Sequence, residues 1–232
     1  MVIFPVIAAL VSGIFAVMLL RRFALRHGLP QLAWGIALSM YALASLIVAA
    51  GVAGGWDVTL FRMYWLLGAL LNVPYLALGS VALLKNKVFT TLMVLGVAAG
   101  TLLALGAVVS TPAHLAGSPV DIPRGSAVWG TDPLAYRLSR FMSYSAYFLV
   151  VLIAVVSNAR KSKSPHARNR VRGNWLIAGG ATITAMGGMF ARYGRGAVFS
   201  IALALGVVVM FVGFIWSSRE PIPETKLAQE AK

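Results

Sequence analysis

The residues able to do chemistry in this chain lie outside its apolar runs. His27, His114 and His166 fall between those runs, as do Asp57, Asp121 and Asp132, while Glu220, Glu224 and Glu230 sit in the polar end of the chain. There is no cysteine. Haem ligation, carboxylate-bound metal, thiolate chemistry and intramembrane proton relays all need such groups facing inward at membrane depth. A retinal Schiff base would need a lysine inside the last apolar run, and residues 197–216 contain none. No catalytic motif is present, so the expected protein is not an enzyme and carries no cofactor and no metal.

Two polar constellations remain. The first is Asn72 and Pro74, in the middle of the run RMYWLLGALLNVPYLALGSVALL. Proline has no N–H, so in a regular helix Pro74 leaves the i−4 carbonyl, that of Leu70, without its donor and kinks the chain. The ordinary expectation is a kink whose freed carbonyl is satisfied by a neighbouring helix, with Asn72 as a polar packing contact. The alternative is a midplane ligand cavity built from Asn72, Pro74, Tyr75, Tyr41 and Tyr144. The second constellation is Arg62, Arg137, Arg140, Arg192 and Arg195, all at the ends of apolar runs. Such arginines ordinarily snorkel to lipid phosphates, or here would pair with Asp57 and Asp132. The alternative is an anion site at the bundle mouth, because guanidinium groups grip carboxylate and phosphate bidentately.

The elements that must position these residues are membrane helices. Of the 232 residues 59% are hydrophobic, only 11% are charged, and the mean hydropathy is +0.84. A soluble domain carries about 25% charged residues, so lipid is the expected solvent. Seven apolar runs cover residues 1–20, 31–53, 62–84, 88–109, 136–157, 174–191 and 197–216. The expected fold is all-α, a seven-helix transmembrane domain over 1–216 followed by a polar cytoplasmic tail at 217–232. Gly96, Gly100 and Ala104, and likewise Gly180, Thr184 and Gly188, are expected to form small-residue packing faces. Trp34, Trp56, Trp65, Trp129, Trp175 and Trp216 are expected to make an interfacial belt.

The formal charge is +14, from 20 Lys and Arg against 6 acids. Only six cations (Arg62, Arg124, Arg137, Arg140, Arg192 and Arg195) fall on one side of the seven runs. The other fourteen fall on the opposite side, which is therefore expected to be cytoplasmic. That sets the N-terminus outside and the C-terminus inside, in a multi-pass plasma-membrane protein. No cation precedes the first run and Arg21, Arg22 and Arg26 follow it, so it reads as a span and not as a cleaved leader. Arg160, Lys161, Lys163, Arg168, Arg170 and Arg172 crowd one cytoplasmic loop. That loop is expected to meet anionic lipid or an acidic protein partner. Nucleic acid is not expected, since no aromatic interleaving accompanies the charge.

The third run, together with GNWLIAGGATITAMGGMFARYGRG leading into ALGVVVMFVGFIWSSR, resembles uncharacterised small bacterial seven-span integral membrane proteins in glycine placement and apolar pattern. The resemblance implies a bacterial membrane module and no activity. In architecture alone the chain is also similar to the seven-helix sensor modules of bacterial signalling proteins, though it ends 16 residues after its last run with no effector domain. The expected function is therefore a non-enzymatic ligand-sensing module or an accessory subunit of a membrane complex. The alternative is a small-solute transporter or facilitator with its site around Asn72 and Pro74.

Overall fold

The structure, a computed structural model, describes residues 2–115, 121–159, 165–192 and 196–218, with backbone alone for 157–159, 165–171, 174, 191–192 and 217–218. All regular structure among the described residues is helical: α1 (Ile3–Arg26), α2 (Leu29–Gly54), α3 (Val58–Tyr64), a π-helical segment (Trp65–Leu71), α4 (Asn72–Ala82), α5 (Lys87–Ser110), α6 (Gly125–Trp129), α7 (Leu134–Ala159), α8 (Pro165–Arg192) and α9 (Gly196–Ser218). Among the described residues, six helices are long and apolar enough to cross a bilayer: α1, α2, the continuous Val58–Ala82, α5, α7 and α9. In α8 the apolar part is only Trp175–Phe190. At ~1.5 Å per residue it covers about 24 Å, short of the ~30 Å hydrocarbon core. The basic residues expected in a loop instead enter its first turns, for α8 begins at Pro165.

Local chemistry explains where the helices begin and end. His27 adopts the left-handed conformation (φ 48°) that closes α1, and α2 restarts with Pro30 in its first turn. Asp57 caps α3 by accepting from the Leu60 N–H at 2.8 Å, and Asn86 caps α5 by accepting from the Phe89 N–H at 3.1 Å. The cap at Asp57 starts the third span earlier than the apolar run suggests, so Arg62 lies inside α3 and not at its flank.

The packing divides the small-residue faces. α8 lies along α9 so closely that a Cβ on Gly180 would come within 2.5 Å of the Gly206 carbonyl oxygen, and one on Gly213 within 2.7 Å of that of Gly173. α1 runs beside α2 and α9, α2 backs the third span, and α4 packs against α7. α5 sits at the edge, with Leu92, Leu95, Leu102 and Leu103 exposed. The expected Gly96–Gly100–Ala104 face is corrected here. Gly96 is exposed with nothing within 4 Å of an added Cβ, Gly100 touches Met142, and only Ala104 is fully buried. Each four-residue step turns the stripe by about 40°, so a helix at the edge buries only part of it. The same holds on α8, where Gly188 has open space beside it.

The tryptophan belt is also corrected. Trp175 and Trp216 are exposed, but Trp56, Trp65 and Trp129 are buried. These three join Phe61, Tyr64 and Tyr136 in a chain of ring contacts with centroids 5.3–6.5 Å apart. This aromatic cluster roofs the bundle. The loop holding α6 folds down onto it and is closed on itself by the His114 N–H donating to the Val128 carbonyl at 3.2 Å. Gly125 lies against the Trp65 ring, where no side chain fits.

Candidate functional site

The third span is broken where the site forms. From Trp65 the helix widens to π geometry, and the Asn72 N–H reaches back five residues to the Leu67 carbonyl. In that i→i+5 register the donor due to the Ala69 carbonyl would come from residue 74, which is Pro74 and has none. The hydroxyl of Ser143 on α7 takes its place, donating to Ala69 O at 2.5 Å. A neighbouring helix thus satisfies a proline-freed carbonyl, at Ala69 instead of the expected Leu70, because the π register shifts the vacancy by one residue.

Beside this break lies a cavity of about 330 Å³. α2, the third span, α7, α8 and α9 form its walls, and residues 123–126 of the α6 loop border one end. Of the five residues expected to build a cavity, Asn72, Tyr41 and Tyr144 line it. Pro74 and Tyr75 do not: Pro74 is buried, and the Tyr75 hydroxyl turns to Thr101 of α5 at 3.4 Å. Tyr75 is three residues from Asn72, but a helix bordered by neighbours on both sides sends such residues to different ones.

Asn72 is 4% exposed, and its Oδ1 has no hydrogen-bond partner. Its Oδ1 therefore makes no contact to a neighbouring helix of the kind a polar packing role would use. The other polar groups around the cavity are mostly engaged. The Tyr41 hydroxyl donates to the Leu203 carbonyl at 2.8 Å, Ser139 to that of Tyr136 at 2.7 Å, and the Tyr147 and Thr182 hydroxyls meet at 2.9 Å. Among the described residues lining the cavity, none is acidic or histidine, and Arg124 of the α6 loop is the one cation. The arrangement suits hydrogen-bonded recognition in a chamber of aromatic and apolar walls, with one amide left to be satisfied.

Tyr64, Trp65, Tyr136, Ser139, Ser143 and Tyr147 also line the cavity and were missed from sequence. A signal existed for α7: Tyr136, Ser139, Ser143 and Tyr147 recur at three- and four-residue spacing, a polar stripe in an apolar helix.

Of the five arginines expected to form an anion site, Arg62, Arg137 and Arg140 have described side chains. Arg62 is half-buried, its Nη2 donates to the Thr111 carbonyl at 3.0 Å, and its guanidinium lies 5.9 Å from the Trp129 ring centroid. It fastens the outer loop to α3. Arg137 and Arg140 are exposed, and no ion pair joins any of the three to Asp57 or Asp132 among the described residues. The side chain of Arg192 and the whole of Arg195 lie outside the described residues, as do residues 160–164 and 219–232, which include most of the expected cytoplasmic tail.

No protein-family model matches this sequence, and no curated protein matches it.

Proposed function

We propose that this integral membrane protein is a non-enzymatic ligand-binding module, which receives a small, uncharged or amphipathic molecule in the cavity beside Asn72. It then serves as a sensor or as an accessory subunit of a membrane complex. In this reading α8 is a seventh span, the N-terminus is outside, and the bundle sits in the plasma membrane with its basic α7–α8 connection toward anionic lipid and protein partners. The observation that carries the proposal is the Asn72 amide, buried on the cavity wall with an unpaired oxygen. An unmet buried acceptor is costly, and a ligand donor relieves it.

The test is thermal stabilisation of the detergent-solubilised protein by a library of hydroxylated small molecules and lipids, run beside Asn72→Leu. Ligands that raise the melting temperature of the parent and not of the variant support the reading. A library with equal effects on both sinks it. A facilitator is a second reading, favoured by the π-to-α break, because interrupted helices line transport paths. Solute uptake by proteoliposomes, lost in Asn72→Leu, would select it over the sensor.

A further inference from the structure

The cavity is open to one side. Tyr144 of α7 and Met186 and Met189 of α8 all line it, yet they are 47%, 53% and 52% exposed. All three thus belong both to the cavity wall and to the outer surface of the bundle. Tyr144 lies mid-helix, next to the Ser143 bond to Ala69, while Met186 and Met189 lie in the last two turns of α8, so the opening runs from the middle of α7 toward the end of α8.

The neighbouring seams are closed. α8 is locked to α9 by glycine-backed contact at Gly180–Gly206 and at Gly187–Ala202. α7 is held to α4 by Ala77, Ala146 and Val150, and to the π segment by the Ser143 bond. Between α7 and α8 the bond from Tyr147 to Thr182 spans the seam. Because the two helices are antiparallel, Tyr144 lies to the same side of that bond as Met186 and Met189, and there the gap opens. Gly188, on the cavity wall, leaves open space where a side chain would stand.

Resting on the reading of this cavity as a ligand site, we propose that its ligand is a bilayer-dissolved amphiphile. It bears an uncharged hydroxyl group and enters sideways between α7 and α8. The hydroxyl donates to the Asn72 amide, which can present either end to the cavity by turning about χ2. The apolar chain lies in the seam against Met186 and Met189, whose unbranched thioethers adapt to irregular shapes. A charged headgroup is disfavoured because, among the described lining residues, none is acidic or histidine and Arg124 is the one cation.

The probe is a diazirine-bearing long-chain alcohol in nanodiscs containing the full chain, with its methyl ether as the comparison. Saturable photolabelling of α7 and α8 peptides around Tyr144 and Met189 is expected. The alcohol should label at least tenfold more efficiently than the ether, and this preference should vanish in Asn72→Leu. Gly188→Leu fills the open space without a clash and should abolish labelling while the protein still folds, as judged by its melting temperature. Labelling of the alcohol and the ether alike, or labelling unchanged by Gly188→Leu, overturns the proposal. If water-soluble hydroxylated compounds stabilise the parent and not Asn72→Leu while the alcohol does not label, the cavity remains a ligand site and the lateral amphiphile is refuted. If neither class acts through Asn72, the ligand-site reading falls as well.

Discussion

Asn72→Leu separates a packing residue from a ligand residue, and its effect on stability can be worked from the structure. The substitution keeps the side-chain shape and removes the amide. Oδ1 makes no hydrogen bond, so no bond to it is lost. Side-chain hydrogen bonds within membranes average about 0.6 kcal/mol and rarely exceed about 1.7 kcal/mol. An unsatisfied buried acceptor costs about 1–3 kcal/mol. Part of that cost is also present in the membrane-embedded unfolded state, so the expected net change is a gain of about 0–1 kcal/mol. For a chain of this size 1 kcal/mol moves the melting temperature by about 2–4 °C. Intrinsic tryptophan fluorescence of the ligand-free protein in detergent should therefore show a melting temperature unchanged or a few degrees higher. A fall of more than about 5 °C would mean that Asn72 holds helices together, and would refute its assignment as an unmet acceptor.

The π break offers a sharper test. Ser143→Ala removes the donor to Ala69 O and should cost about 0.6–1.7 kcal/mol, whereas in a Pro74→Ala background, where the backbone N–H is restored, it should cost markedly less; additive losses would deny that the two residues share one carbonyl. Gly180→Ala must force α8 from α9 and should destabilise by about 1–3 kcal/mol, while Gly96→Leu, on the open face of α5, should be neutral within about 0.5 kcal/mol. Gly100→Leu should fall between them, because its obstacle is the mobile end of Met142. For the proposed orientation, Thr131→Cys should react with an impermeant maleimide in intact cells and Lys87→Cys should not, both positions being exposed in a chain without native cysteine; the reverse pattern inverts the topology.

The hydropathy pattern was readable without any coordinates. Membrane helices must satisfy every backbone group internally, so a long apolar run can only be a helix. That is why the runs at 31–53, 88–109 and 197–216 lie within helices whose ends differ from them by only one or two residues. Pro74 marks a break wherever it sits, whereas the caps at Asp57 and Asn86 emerged only with the coordinates. What the sequence could not determine was which side of each helix turns inward. In water the apolar face identifies itself, but beside lipid both faces are apolar and polarity no longer distinguishes them. Only the tertiary structure decided that Gly180 meets α9 while Gly96 faces outward, and that Trp65 and Trp129 are buried while Trp175 is exposed. It also decided that Tyr41 and Tyr144 face a cavity while Tyr75 faces α5. The unmet oxygen of Asn72 belongs to the same class of fact, because a donor's absence depends on every helix around it.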